Sequence, residues 1–444
     1  MVSETIAAVA TPRGMGGVGV IRVSGPLAAA IAEAILGRVP RARQATFASF
    51  RSADGSCIDE GIALLFPAPR SFTGEDVLEL QGHGGPVVMD LLQQRCLELG
   101  ARTARPGEFS ERAFLNGKLD LTQAEAVADL IESSTALSAQ LAVRSLQGAF
   151  SRRIESLIEG LIRLRTYLEA TLDFPDDELD LQAEPVVADD LDVLISGTRQ
   201  VIAEAHQGER IRDGFTVAIA GPPNAGKSSL LNALSLADAA IVTPVPGTTR
   251  DLLRVDIQVD GLPVRLVDTA GLRDSQDPVE QEGVRRARDQ IARSDLVLWV
   301  YDAAIGLDRS EFADMPPGVP LTLVRNKIDL LKTEPARDAS EPDEIALSAL
   351  TGEGLDRLHR HIKARAGVES LAEGAFVARR RHLEALELGL AYLETARRAF
   401  RMGTGLEMIA LDLTAAQQAF GEITGAFTPD DLLGRIFASF CIGK

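Results

Sequence analysis

The chain holds only three cysteines, Cys57, Cys96 and Cys441, far apart and without CxxC or Cys/His ligand spacing. That scarcity excludes a disulfide framework or a zinc ribbon. Cys57 and Cys96 read as small core residues, whereas Cys441 stands in a distinctive C-terminal run, FCIGK. No apolar run approaches the roughly 18 residues of a membrane span, and the start MVSETIAAVATPRG lacks the basic leader and apolar stretch of a signal peptide. A cytoplasmic protein without a membrane span is the expectation. Positive charge is also short, with 46 basic against 64 acidic side chains and a formal charge of −18. Such a surface repels a phosphate backbone, so a role on nucleic acid calls for a partner. Internal repeats and low-complexity tracts are absent.

What is present is 45% hydrophobic and 25% charged residues over 444 positions, the balance of a folded multi-domain chain. Residues 1–118 alternate β-rich runs such as VGVIRVSG and DVLELQGHG with helical patterns such as PLAAAIAEAILG, which predicts an α+β domain. Over 119–213, stretches such as IESLIEGLIRLRTYLEATL keep apolar residues three to four apart and predict helices. The acidic FPDDELD, 174–180, reads as a solvated loop between them. From 214 to 367, strand, glycine turn and helix repeat, the pattern of a doubly wound parallel α/β domain. Helical periodicity resumes over 368–444, where Thr428-Pro429-Asp430-Asp431 marks a helix start. The economical architecture is a helical bundle split in sequence by an inserted α/β domain.

That inserted segment carries the chemistry. GPPNAGKSS, with Asn224, Ala225, Gly226, Lys227, Ser228 and Ser229, lies between an apolar strand and a helix, as a phosphate loop requires. Its backbone N–H groups and helix N-terminus receive phosphate, Lys227 spans the β and γ phosphates, and Ser228 ligates Mg²⁺. A strand then ends in Asp268-Thr269-Ala270-Gly271, a carboxylate for the Mg²⁺ site and a glycine N–H for the γ-phosphate. Asn326-Lys327-Ile328-Asp329 and Ser348-Ala349-Leu350 follow at two further strand ends. Asp329 can accept the N1–H and exocyclic amine of guanine, while Asn326 and the Ala349 backbone address its other edge. Four such elements in order predict a P-loop GTPase that binds GTP with Mg²⁺. Thr243-Pro244-Val245-Pro246-Gly247-Thr248-Thr249 reads as the first switch, with Thr249 completing the Mg²⁺ shell. Leu272 occupies the position after DTAG where Ras-like proteins have glutamine, so Glu280, with Glu282 the alternative, is the candidate for orienting water.

Two motifs point nowhere. Gly14-Met15-Gly16-Gly17-Val18-Gly19 satisfies GxGxxG but leads into a β-like run rather than a helix, which excludes a dinucleotide fingerprint. His83 in QGHGG is isolated from nucleophiles and ligands and reads as a packing or hydrogen-bonding residue.

Taken together, GPPNAGKSSLLN, TPVPGTTRD, DTAGLR, NKID, FCIGK and the N-terminal TIAAVATPRGMGGVGVIRVSGP, SFTGEDVLELQGHGGP and RPGEFSERAFLNGKLDLTQAEAVADLI resemble the MnmE (TrmE) family of tRNA-modification GTPases over the whole chain. The resemblance implies a K⁺ ion held by Asn224 with Thr243, Val245 and Thr248, doing the work of an arginine finger, and Glu280 ordered when two G domains of a homodimer pair. It implies a tetrahydrofolate site (5-formyl or 5,10-methylene) in the N-terminal domain at Arg22, Glu79 and Lys118, with Lys444 from the C-terminal tail. It further implies an FAD-dependent partner of the MnmG (GidA) type, in a heterotetramer or larger complex that holds tRNA mainly through that partner. The joint product is a carboxymethylaminomethyl or aminomethyl group on C5 of the wobble uridine. Cys441 is the candidate for acting near the one-carbon unit or the uracil, with a structural role as its alternative. Pro222 departs from the arginine of many members, early in the loop and away from the phosphate contacts. The competing readings are a ribosome-assembly GTPase of the Era/Der group, against which stand the single phosphate loop and the lack of a following GxxG domain, and a regulatory scaffold switched by GTP.

Overall fold

The computed structural model describes residues 4–12, 14–173, 180–237, 254–268, 288–308, 316, 318–331, 344–368, 375–403, 405–427, 430–441 and 443. The chain divides into two compact units, one of residues 1–128, 145–195 and 388–444, the other of 129–144 and 196–387.

In the first unit, β1 (Ile6–Val9), β2 (Gly16–Ser24), β3 (Thr46–Arg51), β4 (Cys57–Phe66), β5 (Val77–Gly84) and β6 (Arg102–Thr103) form one sheet in the order β3-β4-β5-β2-β1-β6. The two-residue period of a strand sorts its side chains: Leu78 and Leu80 enter the core, and Glu79 between them faces the other way. Helix α1 (Ala28–Leu36) covers the core face with Ala28, Ile31, Ala32, Ile35 and Leu36, the spacing of one helical stripe, and ends on Gly37 in the left-handed region. Helix α2 (Pro86–Glu98) starts on proline, which needs no helical N–H partner there, and buries Met89, Leu92 and Cys96. Burial pushes the Cys96 thiol up to about 12. Cys57 differs from its expected core position: it opens β4 beside the exposed Ser52–Ser56 turn, is itself exposed, and donates from Sγ to the Asp59 carbonyl at 3.3 Å.

Helices α3 (Glu108–Leu115), α4 (Leu121–Glu132), α5 (Ala136–Leu146), α6 (Ala149–Asp173) and α7 (Asp180–Asp213) follow. Helix α6 buries Phe150, Ile154, Leu157, Leu161, Leu164 and Leu168 at alternating spacings of four and three, the seam of near-parallel helix packing.

In the second unit, β7 (Phe215–Ala220), β8 (Arg254–Val259), β9 (Leu262–Asp268), β10 (Leu296–Asp302), β11 (Leu321–Asn326) and β12 (Glu344–Ala346) lie in the order β12-β11-β10-β7-β9-β8. Only β8 pairs antiparallel; the other neighbours are parallel. Helix α8 (Lys227–Ala237) leaves β7 through the glycine-rich turn, and α9 (Leu355–Arg365) follows β12. The strands read as nearly unbroken apolar runs because both faces are buried, as at LVLWVY in β10. The remaining helices are α10 (Arg380–Arg401), α11 (Leu406–Thr424) and α12 (Asp430–Ala438). Within the first unit α6 packs along α11, and Arg165 Nη1 donates to Gln417 Oε1 at 2.7 Å. Phe420 of α11 lies so close to Gly389 that a Cβ there would sit 2.1 Å from its ring. Alanine at 389 would force these helices apart.

β2 occupies Gly16–Ser24, so the glycine run runs into a strand and opens no helix. His83 is exposed, and its Nδ1 pairs with Asp59 Oδ1 at 2.8 Å. No described helix is long and apolar enough to cross a membrane.

Candidate active site

The sheet of the second unit reverses its winding beside β7, which has β9 on one side and β10 on the other. In open α/β sheets that reversal leaves a crevice at the carboxyl ends of the strands, where ligands bind. The carboxyl ends of β7, β9, β10 and β11 carry Ala220-Gly221, Asp268, Asp302 and Asn326.

Gly221 turns the chain out of β7 at φ 136°, and a Cβ there would collide with the Val300 carbonyl oxygen at 2.1 Å. Asn224 takes the left-handed region at φ 63°, a conformation that asparagine tolerates better than most residues. Gly226 follows at φ 93°, with room for no side chain: its Cβ would lie 2.3 Å from Asn326 Nδ2. Glycine is therefore required at 226 on two independent grounds. Lys227 Nζ lies across the loop, 2.8 Å from both the Gly221 and the Pro222 carbonyls. Ala225 is buried, and Ser228 and Ser229 are exposed on the first turn of α8, whose N–H groups and dipole favour an anion.

Asn326, 1% exposed, joins this loop to the end of β12: its Nδ2 donates to the Ala225 carbonyl at 2.9 Å and its Oδ1 accepts the Ala349 N–H at 3.0 Å. Lys327, left-handed at φ 64°, donates from Nζ to the Asn224 carbonyl at 2.6 Å and to Asp302 Oδ2 at 2.8 Å. That lysine, followed by the Ala304 N–H, holds the Asp302 carboxyl below the usual carboxylate range. Asp329 Oδ1 accepts the Ser348 hydroxyl at 2.5 Å, fixing the carboxylate plane at the crevice rim, and Leu350 is exposed beside it. Asn224, Ala225, Gly226, Lys227, Asn326, Lys327, Asp329, Ser348 and Ala349 thus form one connected edge. Asp302 was missed by motif reading, although its place as the last residue of an apolar strand was available as a signal.

Asp268 ends β9 opposite Ile219 of β7 and is 3% exposed. Its carboxylate and the Ser228 hydroxyl are hard oxygen donors, the chemistry that suits Mg²⁺. Thr243, Pro244, Val245, Pro246, Gly247, Thr248, Thr249, Thr269, Ala270, Gly271, Leu272, Glu280, Glu282 and Lys444 lie outside the described residues. Among the described residues no group of three or more His, Cys, Asp or Glu side chains could hold a metal.

A second cluster lies in the first unit. Arg22 of β2 and Glu79 of β5 are register partners, with Nη2 and Oε1 2.9 Å apart. The Arg22 guanidinium lies 5.5 Å from the Phe72 ring centre and 5.8 Å from that of Phe109. Lys118 donates from Nζ to the Pro69 carbonyl at 3.1 Å, on the same loop that carries Phe72. The pair and Lys118 therefore meet around one loop, a mixture of cation, carboxylate and ring faces. Cys441 is exposed, and its carbonyl accepts the N–H of Gly107, the residue before α3, at 3.3 Å. Gly107, at φ 65°, would bring a Cβ within 2.5 Å of the Phe437 carbonyl oxygen, so its bareness is what lets the tail lie there.

Behind these residues runs an ion network that sequence reading did not detect. Glu108, 2% exposed, accepts from Arg102 Nη2 at 2.6 Å, from the Arg105 N–H at 2.8 Å and from Arg112 Nη2 at 3.1 Å. Arg112 also reaches Glu75 Oε2 at 2.8 Å, which accepts the Ser24 hydroxyl at 2.7 Å. Burial acts to raise the Glu108 carboxyl, but its hydrogen bonds outweigh that and hold it at about 2.

Comparison with known proteins covers both units. Residues 5–118 match the family model of the GTP-binding protein TrmE N-terminus, and residues 121–441 match that of the MnmE helical domain. The chain is 56% identical over 452 residues to the tRNA modification GTPase MnmE of Pseudomonas aeruginosa PAO1, covering 100% of this chain and 99% of that one. It is 56% identical over 443 residues to the protein of the same name from Methylococcus capsulatus, covering 99% of each. Among solved structures, a variant of Aquifex aeolicus Era bound to GDP.AlF4⁻ is 26% identical, covering 40% of this chain and 66% of that one at a TM-score of 0.29. The G domain of the Thermotoga maritima FeoB iron transporter is 25% identical, covering 34% and 98% at a TM-score of 0.27. Those scores are too low to bear on fold or chemistry.

Proposed function

The chain belongs to the MnmE family of tRNA-modification GTPases, and we propose that it hydrolyses GTP on the β7–β11 edge in order to drive a folate-dependent modification of the wobble uridine. The observation that carries the nucleotide assignment is Asn326, whose one side chain bonds both the phosphate-loop carbonyl of Ala225 and the N–H of Ala349. A ligand spanning phosphate and base therefore meets a single pre-formed surface. Asp329, braced by Ser348, accepts the guanine N1–H and amine; adenine offers no such pair of donors. Lys227, the α8 N-terminus and the Gly226 backbone bind the phosphates, with Thr269, Ala270 and Gly271 contributing from the next strand end.

Mg²⁺, held by Ser228, Thr249 and Asp268, would supply charge neutralisation between the β and γ phosphates. K⁺, held by Asn224, Thr243, Val245 and Thr248, would supply the transition-state charge that an arginine finger gives elsewhere. Glu280 orients the attacking water once the two G domains of a homodimer pair. Hydrolysis rates in K⁺ and Na⁺ test this: K⁺ is expected to be faster by tenfold or more, and equal rates would overturn the reading.

The Arg22–Glu79 pair with Lys118, joined by Lys444, is the proposed tetrahydrofolate site; cations suit the glutamate carboxylates and Glu79 suits the pterin edge. Tetrahydrofolate would supply the one-carbon unit. Cys441 is the proposed group acting near that carbon or the uracil, with a structural role as its alternative, and an FAD-dependent protein of the MnmG type, which brings most of the tRNA contacts, completes the reaction. A mass-spectrometric profile of tRNA nucleosides with and without the protein decides this: loss of the modified wobble uridine is expected, and an unchanged profile would overturn it.

A further inference from the structure

The hairpin β8–β9 carries a proposed phosphate-side group at its open end: Asp268, the last residue of β9. At its closed end the two-residue turn Asp260-Gly261 takes φ 48° and 89°, the left-handed pair of a tight hairpin that matches strand twist.

That turn does not end in solvent. A Cβ on Gly261 would lie 3.2 Å from Leu137 Cβ, so α5 bears directly on the tip. Leu141 and Ala142, one turn further along α5, are buried in the same core as Ile257, Val259, Leu262 and Val264 of the hairpin. The start of α5 is fixed in its turn: Thr135 and Ser138 exchange hydrogen bonds at 3.1 Å in a reciprocal cap. Shortly before it, Asp129 accepts both Arg212 Nε and Arg379 Nη2 at 2.7 Å with its side chain only 5% exposed. Arg212 stands just ahead of β7 and Arg379 just ahead of α10, so one carboxylate ties three sequence-distant segments beside α5. The Lys363–Asp260 contact at 3.4 Å is exposed and adds little.

A paired ladder is stiff along its strands, and close-packed interiors pass displacement on. We infer that Leu137 is a positioning residue for the GTPase reaction: through the hairpin tip it sets where the ladder places Asp268. The inference rests on the proposed role of that carboxylate. By linkage, if α5 bears on the hairpin differently in the GTP and GDP states, freeing the hairpin must change the two affinities by different factors. A purely structural role would move both together.

The test uses the full chain and measures Kd for GDP and for a non-hydrolysable GTP analogue, together with kcat. Leu137→Ala is expected to change the ratio of the two affinities by about fivefold, the low end of typical coupling, and Leu137→Met to restore it. Gly261→Asn, which keeps the left-handed turn but adds a side chain against Leu137, leaves the core intact and is expected to shift the ratio as well. Equal changes in both affinities, or none, in both variants would overturn the inference. Lys227→Ala separates the premise from the conclusion. If it binds both nucleotides as tightly as the unaltered chain, the phosphate-site reading has failed. If it loses both while the Leu137 and Gly261 variants keep a fixed ratio, only the coupling is wrong.

Discussion

The two charged regions of this molecule are built on opposite plans. The nucleotide edge is wired mainly through backbone groups, with Asn326 bridging two backbone segments, glycines clearing space and the Lys327–Asp302 pair reaching the Asn224 carbonyl. The Arg22–Glu79 cluster is backed by an ion network around the buried Glu108 carboxylate, which lies among three arginine residues, with Arg112 reaching on to Glu75. Backbone wiring leaves the phosphate loop's own donors pointing at a ligand, so side-chain changes there should act on binding and turnover. A buried carboxylate satisfied by such a network is left uncompensated when its partners are removed, so changes there should act on stability. The contrast is testable because each region predicts a null result in the other's assay.

The largest effect is expected at Asp329. Asp329→Asn should move preference from guanosine to xanthosine nucleotides, a swing in specificity of about 10⁴-fold, because a carboxylate covered by the bound base is left unpaired by the wrong donor pattern. Competition binding with GDP and xanthosine diphosphate measures it, and thermal stability should barely change. Next comes Lys227→Ala, which removes the loop lysine proposed to span the phosphates. A fall of about 10³-fold in kcat/KM for GTP is expected, the scale of removing one transition-state donor or more. Residual activity within tenfold of the unaltered chain would break the comparison on the nucleotide side.

How legible these plans were differs for the same reason. The nucleotide edge sits in short contiguous motifs, since one turn of backbone must wrap one phosphate, and GPPNAGKSS, NKID and SAL could be read without a structure. Strand-helix alternation likewise made the doubly wound sheet plain. Glu108, Arg102, Arg112 and Glu75 are ordinary surface-type residues until strand β6, helix α3 and the loop before β5 bring them together; only the family resemblance pointed to Arg22, Glu79 and Lys118. Cys57 shows the limit of reading by residue type: its chemistry favours burial, and its place beside a turn decided otherwise. Nor could periodicity reveal that α5, helical by pattern, contributes Leu141 and Ala142 to the core of the parallel sheet.

On the ionic side the prediction concerns pH. A buried carboxyl that ionises near 2 when folded, against the usual glutamate value of about 4.3 when unfolded, binds its proton less readily in the folded state. Its stabilisation is therefore complete above about 4.3 and is lost as pH falls towards 2, on the order of 3 kcal/mol in all. Glu108→Gln, which keeps the shape and removes the charge, should lower stability at neutral pH by that order and flatten the acid limb of a denaturant-midpoint profile. GTP hydrolysis by the remaining folded protein should be unaffected. An acid limb as steep in the variant as in the unaltered chain would show that the network does not govern acid sensitivity.

The smallest expected effect tests how far the nucleotide edge depends on its Lys327–Asp302 ion pair. Lys327 reaches from the base side to the phosphate loop, donating to the Asn224 carbonyl, and Asp302 is its ionic partner there. Asp302→Asn keeps the acceptor for the Ala304 N–H and the size of the side chain but removes the charge facing Lys327. The amide Nδ2 then faces the Lys327 ammonium donor to donor, so this charge-assisted bond is lost, at a cost of about 1 kcal/mol or roughly fivefold in GTP affinity. Because Asn224 still accepts from Lys327, the strap is weakened rather than cut, and kcat at saturation should hold. A loss beyond a hundredfold would mean that the nucleotide edge depends on a charge pair as the Glu108 network does, and the division between the two plans would fail at this residue.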